Sequence, residues 1–255
     1  MKSSTYRNTA VGIEPLTSNA IHLWLADFNV ADETRQQFWQ TLASDERQRA
    51  ERFAFERDRH HFIAGRGILR QILSEYLHLP PDALQFAYSP RGKPSLLNSS
   101  TSLCFNLSHS QGLSLVAIAL DREVGVDLEG DRPIEALRLA KRFFSPQEYT
   151  ALANLPPDRQ PTVFFKLWTC KEAYLKATGT GLVDLTQVEI GVEAVERGRS
   201  LTLKGGDRTW LLQPLDLMLH GVTGFAAAVA VSTVLSSEGV SEEVEFRLRK
   251  WLPTS

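Results

Sequence analysis

The chain has 255 residues, 43% of them hydrophobic and 23% charged, with a formal net charge of −2. That length allows one large domain or two small ones around a buried core, and the composition excludes general disorder. A charge so close to neutral argues against a general nucleic-acid binder. The two cysteines, Cys104 and Cys170, each lie in an apolar segment, which predicts neither a disulfide framework nor a zinc site and fits a reducing cytoplasm. The N-terminus lacks the apolar core of a signal peptide, and the longest apolar run (224–231) is too short to span a bilayer, so no membrane role is expected.

Residues 1–20 are polar and irregular and read as an arm. IHLWLADF (21–28) alternates as a strand. Residues 32–53 have helical spacing with a break near Ser44-Asp45, where Ser44 serves as N-cap. The clearest helix is 57–79, with Phe62, Leu69, Ile72, Leu73 and Tyr76 as its apolar stripe and Pro80-Pro81 as its stop. A short strand and a Pro/Gly loop follow, then two strands over 103–120 joined by a polar turn at 108–112. EVGVDLEGDRP (123–133) is a further strand. Beyond it lie helices up to about residue 178, strands at LTQVEIGVE, RSLTLKG, TWLLQPLDL and GFAAAVAVS, and a tail. Val240, Val244, Leu248 and Trp251 give that tail helical spacing. Each half runs from strands to helices and back. This predicts an α+β chain of two similar units, 21–122 and 123–235, between the arm and a helical tail over 236–255.

In VGVDLE, alternation places Val124, Val126 and Leu128 on one face and Gly125, Asp127 and Glu129 on the other. Two carboxylates beside a glycine that leaves room for a ligand make a half-site for a hard divalent cation such as magnesium. A half-exposed strand with an acidic outer face is an equal alternative on this motif alone. Glu172 and Lys176, four apart, share a helix face with Trp168. Such pairs are commonly surface ion pairs, but here Phe164, Phe165, Leu167, Trp168, Tyr174 and Leu175 leave few positions facing water. A third carboxylate on a mostly buried helix completes a site with Asp127 and Glu129, and the lysine can neutralise phosphate oxygens. Arg91 and Lys93 in a Pro/Gly turn, and Ser108 and His109 at a strand end, suit an anion. Arg66, between two glycines, sits in a run whose interleaved acids also suit a solvated face. No nucleophile elbow, P-loop, dinucleotide fingerprint or HExxH occurs, and a hydrolase triad is not expected.

RGKP (91–94), FNLSHS (105–110), GVDLE (125–129), KRFFSPQEY (141–149) and FFKLWTCKEAYLKATGTGL (164–182), in this order, resemble the Sfp-type 4′-phosphopantetheinyl transferases. The wording is similar to cyanobacterial members, and the pairing of GVDLE with WTCKEAYLK is the specific part. The resemblance implies a pseudo-twofold pair of α+β subdomains with the active site at their interface. It also implies transfer of the phosphopantetheine arm of coenzyme A to a serine of an apo acyl or peptidyl carrier protein, releasing adenosine 3′,5′-bisphosphate. Carried over by motif, Asp127, Glu129 and Glu172 bind magnesium, Glu172 is the favoured base, and Lys176 stabilises charge on the phosphates. Lys93, Ser108, His109, Arg66 and Arg91 bind coenzyme A, with His109 and Arg66 near the 3′-phosphate. Lys171, off the Glu172–Lys176 face, contacts coenzyme A or only solvent, and Arg47 and Arg49 are weaker carry-overs. An internal pseudo-dimer makes a cytoplasmic monomer the expectation. The alternatives are an inactive carrier- or coenzyme A-binding module and another magnesium-dependent diphosphate-cleaving enzyme. The three carboxylates with Lys176 weigh against the first, FNLSHS and RGKP against the second.

Overall fold

Period-2 alternation decides which way each strand faces. The computed structural model describes residues 14–97, 101–180, 182–206, 208–233 and 243–253. In β1 (Ala20–Asp27), Ile21, Leu23 and Leu25 enter one core cluster while Trp24 and Ala26 enter another. β5 (Leu113–Leu120) repeats the division, with Leu115, Ala117 and Ala119 inward and Val116 and Ile118 outward. So do β6 (Val124–Gly130) and β9 (Phe225–Thr233): Val124, Val126, Leu128, Val229 and Val231 share the inner cluster, and Ala226, Ala228 and Ala230 face the other way. The inner cluster therefore lies between two four-stranded sheets. One sheet has the order β10-β1-β5-β4, with β4 at Leu103–Ser110 and β10 at Glu245–Lys250; the other is β6-β9-β8-β7, with β7 at Leu201–Gly205 and β8 at Arg208–Leu215.

Helices cover the outer faces. Against the first sheet pack α1 (Asp32–Thr41), α2 (Ser44–Glu51) and α3 (Glu56–Leu77), with Ile68, Leu69, Ile72 and Leu73 buried. Against the second pack α4 (Ala136–Phe143), α5 (Pro146–Ala153), α6 (Gln160–Thr178) and α7 (Val192–Glu196). β2 (Phe86–Tyr88) and β3 (Pro94–Leu96) form a separate two-stranded hairpin whose Phe86 and Leu96 pack on the core of the first sheet. The result is the mixed helix-and-sheet fold with two sheet-bearing subdomains that the sequence predicts. Among the described residues no helix is long and apolar enough to cross a membrane.

Two joints place the site. Side chains of β4 join it to β6: Asn106 Oδ1 accepts the Val126 N–H at 3.0 Å and Ser110 Oγ accepts the Gly130 N–H at 3.0 Å. Above β6 lies α6, so close that a Cβ on Gly125 would stand 2.2 Å from the Ala173 carbonyl oxygen and 2.3 Å from the Ala177 nitrogen. Gly125 thus makes room for a helix backbone, where the sequence suggested room for a ligand. Gly125→Ala should lose about 1–3 kcal/mol in chemical denaturation, since only backbone can move out of the way.

Four local expectations are corrected. The tail holds a strand: β10 pairs parallel with β1, and Val244, Phe246 and Leu248 pack half-buried against the inner core. The spacing from Val244 to Leu248 satisfies both the strand and the helix period, and the open edge of β1 supplies the partner that decides between them. Residues 236–242 of that tail lie outside the described residues, as does the arm up to residue 13; Glu14 is ion-paired with Arg247 and Arg249 of β10. LTQVEIGVE forms a 3-10 turn and the start of α7, because the Leu185 and Val188 carbonyls accept bonds from Lys171 and not from a neighbouring strand. The cap of α2 is Ala43, whose N–H donates to Glu46 at 2.9 Å. The β4–β5 turn is only Gln111-Gly112, both in the left-handed region as a tight two-residue hairpin requires, so Ser108 and His109 are strand residues.

One buried group makes the fold acid-sensitive. His22 in β1 is fully buried, with Nδ1 2.8 Å from the Tyr76 hydroxyl, which accepts the Trp24 indole N–H at 2.9 Å. Burial, then Arg249 and Arg247 of β10, lower its pKa to about 4. The unfolded chain takes up this proton near pH 6.5, so its contribution is full above that pH and is lost as pH falls toward 4. In His22→Gln the stability difference between pH 7 and pH 5 should shrink by about 2 kcal/mol, read from urea midpoints.

Candidate active site

A cleft of about 710 Å³ runs between the subdomains, lined by α3 (His61, Phe62, Arg66), the β2–β3 loop, β4 and the C-terminal half of α6. Helix α6 owes its direction to apolar packing on the alanines of β9 and its end to Gly179, whose left-handed conformation stops it. Gly181, the second glycine of that turn, lies outside the described residues. The last two turns of α6 present Glu172 and Lys176 to the cleft.

Behind them stands the carboxylate pair of β6. Asp127 is buried; its Oδ1 accepts from Lys176 Nζ at 2.7 Å and from Ser108 Oγ at 2.8 Å, and Lys176 also donates to Ser108 at 2.9 Å. Glu129 Oε2 accepts from Arg132 at 2.8 Å and more weakly from Ser110 at 3.4 Å. Burial, then the Asp127 charge, raise the Glu172 pKa to about 7 against the opposing pull of Lys176, with Glu129 adding to the rise. Among the described residues no three His, Cys, Asp or Glu side chains form a ready-made metal cage. Two atoms nevertheless suit a cation: Asp127 Oδ2 and Glu172 Oε1 are buried with no partner. Hard oxygen donors of this kind are what a magnesium ion takes.

The basic residues divide. Arg66 lies on the cleft wall, its Nε donating to Glu46 at 2.6 Å and its Nη2 to the Tyr88 hydroxyl at 2.8 Å, with the guanidinium 4.5 Å from the Phe86 ring centre. Its flanking glycines have packing reasons, Gly65 against Phe28 and Gly67 against Phe38. Burial alone would raise the Glu46 carboxyl, but Arg66, the Ala43 N–H and Arg70 outweigh it and hold it below the usual range. His109 also lines the cleft, lowered by burial, Lys176 and His61. Arg91 and Lys93 reach the cleft from the loop, yet their charged ends cap α6: Arg91 donates to the Gly179 carbonyl at 2.7 Å and Lys93 to that of Lys176 at 2.6 Å. Ser108 stays behind the wall, on Asp127 and Lys176. Arg49 lines the cleft above Phe62, whereas Arg47 is spent on the carbonyls of Trp39 and Gln40 at the end of α1.

Lys171 is the correction among the site residues. It lines neither the cleft nor the surface but is fully buried, with Nζ 2.8 Å from Glu148 and from the Leu185 carbonyl. Residues the sequence reading passed over also shape the site: Glu46 orients Arg66, Asn106 and Ser110 hold β6, and Arg132 covers Glu129. Asn106 and Ser110 lie within FNLSHS and share the strand parity of Ser108, a signal that was present. Glu46 and Arg132 gave none, since their partners are set by packing.

The comparisons agree with this architecture. Residues 27–121 match the family model described as 4′-phosphopantetheinyl transferase, N-terminal, and residues 123–230 match the 4′-phosphopantetheinyl transferase superfamily. The chain is 46% identical over 190 residues to the 4′-phosphopantetheinyl transferase HetI of Nostoc sp., covering 73% of this chain and 80% of HetI. Against the 4′-phosphopantetheinyl transferase psf-1 of Bacillus pumilus identity is 38%, covering 64% of this chain and 69% of the relative. Against the 4′-phosphopantetheinyl transferase Sfp of Bacillus subtilis it is 31%, covering 61% and 68%. With both family models matched in order, the chain belongs to the 4′-phosphopantetheinyl transferase superfamily, whose members transfer the phosphopantetheine group to carrier proteins.

Proposed function

We propose that this chain transfers the 4′-phosphopantetheine of coenzyme A to a serine of apo acyl or peptidyl carrier proteins, using Glu172 as the base. The observation that carries the assignment is the placement of Glu172 and Lys176 on the cleft wall in front of buried Asp127, with one oxygen of each carboxylate left without a partner. The serine oxygen attacks the phosphorus bonded to the pantetheine oxygen. The bond from that phosphorus to the bridging oxygen breaks, adenosine 3′,5′-bisphosphate leaves, and the serine proton passes to Glu172. Arg66 and His109 on the cleft wall bind the phosphates of coenzyme A, Lys93 and Arg91 steady the end of α6 beside them, and Lys176 neutralises charge on the diphosphate. Asp127, Glu129 and Glu172 would hold a magnesium ion, which when bound offsets the negative charge gathered on the phosphate oxygens. Ser108 donates to Asp127 Oδ1 and so holds that carboxylate in place. The chain acts as a cytoplasmic monomer, each copy holding both halves of its cleft.

Incubation with coenzyme A, magnesium and apo carrier proteins of the fatty-acid, polyketide and nonribosomal-peptide kinds tests this. The expected result is a phosphopantetheine adduct in the intact mass of at least one carrier. No adduct on any of them, from a folded protein, would end the reading.

A further inference from the structure

Lys176 is claimed by two partners. Its ammonium lies 2.7 Å from Asp127 Oδ1 and 2.9 Å from Ser108 Oγ, so it already serves as the counter-ion of a carboxylate that is 4% exposed. A buried carboxylate needs such a cation when no other is present. The lysine covers only one oxygen, since Asp127 Oδ2 and the neighbouring Glu172 Oε1 have no partner. A divalent cation arriving at those two atoms meets the ammonium as a like charge at close range.

The backbone and the side chain of Lys176 are differently constrained. Its carbonyl is held by Lys93 at 2.6 Å, the Gly179 carbonyl by Arg91 at 2.7 Å, and this turn of the helix rests on Gly125. The side chain is 30% exposed and lines the cleft. A four-carbon stem on a fixed helix lets the ammonium move to a phosphate in the cleft without moving α6. We infer that Lys176 stands in for the divalent cation on Asp127 until the diphosphate of coenzyme A draws it away, so that cation and coenzyme A bind cooperatively. This rests on the cation and coenzyme A roles proposed above. Coupling of this kind is reciprocal: coenzyme A tightens the cation by the same factor as the cation tightens coenzyme A.

The test measures binding without any carrier protein, so no transfer occurs. Mn²⁺ is titrated by electron paramagnetic resonance into wild type, Lys176→Met and Lys176→Arg, with and without saturating coenzyme A; thermal melts verify that each is folded. Wild type should bind Mn²⁺ weakly alone and at least about tenfold tighter with coenzyme A, within the usual range of coupling between sites. Lys176→Met should bind Mn²⁺ alone about fivefold tighter than wild type and show a coupling factor reduced to match. Lys176→Arg, which keeps a cation at Asp127, should stay close to wild type without coenzyme A. Lys176→Met binding Mn²⁺ alone no tighter than wild type, or keeping the full coupling, overturns the inference while leaving the metal reading standing. Wild type binding no Mn²⁺ under either condition removes both.

Discussion

Replacing Glu172 with glutamine is expected to abolish transfer and, in the same protein, to increase its stability. Both effects come from one cause. Burial, Asp127 and Glu129 all oppose the ionised carboxylate, which is why its pKa stands near 7 and not near the ordinary carboxylate value. The folded chain therefore holds this charge at a disadvantage at pH 8, and a neutral isostere removes it. Glu172→Gln should gain about 1–3 kcal/mol in urea denaturation at pH 8 with chelator present. The same change removes the proposed base and cation ligand, and transfer should fall by at least about 100-fold. A residue kept only for packing cannot give this pair of signs. Near-normal turnover would eliminate Glu172 as the base; a clear loss of stability would mean that its charge is satisfied by a partner, contrary to the bare Oε1 atom.

The sequence made some of this site readable because two short periods were enough. Alternation in VGVDLE separates Asp127 and Glu129 from the valines, and the four-residue step from Glu172 to Lys176 puts them on one side of α6. Both are local relations, fixed by backbone geometry alone. What was not readable depends on which face stays dry, and that is decided by distant segments. Lys171 looks like any lysine beside a glutamate until Glu148 and the 185–188 loop close around it. Arg91 and Lys93 look like phosphate ligands, and only the folded chain brings them to the carbonyls at the end of α6, more than eighty residues on. The tail misled for another reason: its apolar spacing fits two periods, and a free edge on β1 selects the strand.

The second large effect concerns Lys171. Removing either partner of its buried pair should destabilise the fold by about 3–5 kcal/mol, far more than any change on the cleft wall. The ammonium has three acceptors: Glu148 Oε2 at 2.8 Å, the Leu185 carbonyl at 2.8 Å and the Val188 carbonyl. The Phe144 ring centre lies 5.4 Å away. Glu148 in turn accepts the Ser145 N–H at 2.7 Å and the Ile190 N–H at 2.8 Å, so one ion pair fastens α5, α6 and the chain before α7. Lys171→Met leaves a buried carboxylate and two carbonyls without their donor; Glu148→Gln leaves a buried ammonium without its counter-charge. Each uncompensated group carries its own desolvation penalty, so the double variant should lose clearly less than the sum of the singles. Denaturation of the four proteins measures that cycle. At a temperature where Lys171→Met is still folded, its KM for coenzyme A should equal that of wild type, because the lysine points into the core and away from the cleft. A stable Lys171→Met with a raised KM would instead place this side chain on coenzyme A, and α6 would have to be rotated from the orientation that Gly125 and Glu148 impose.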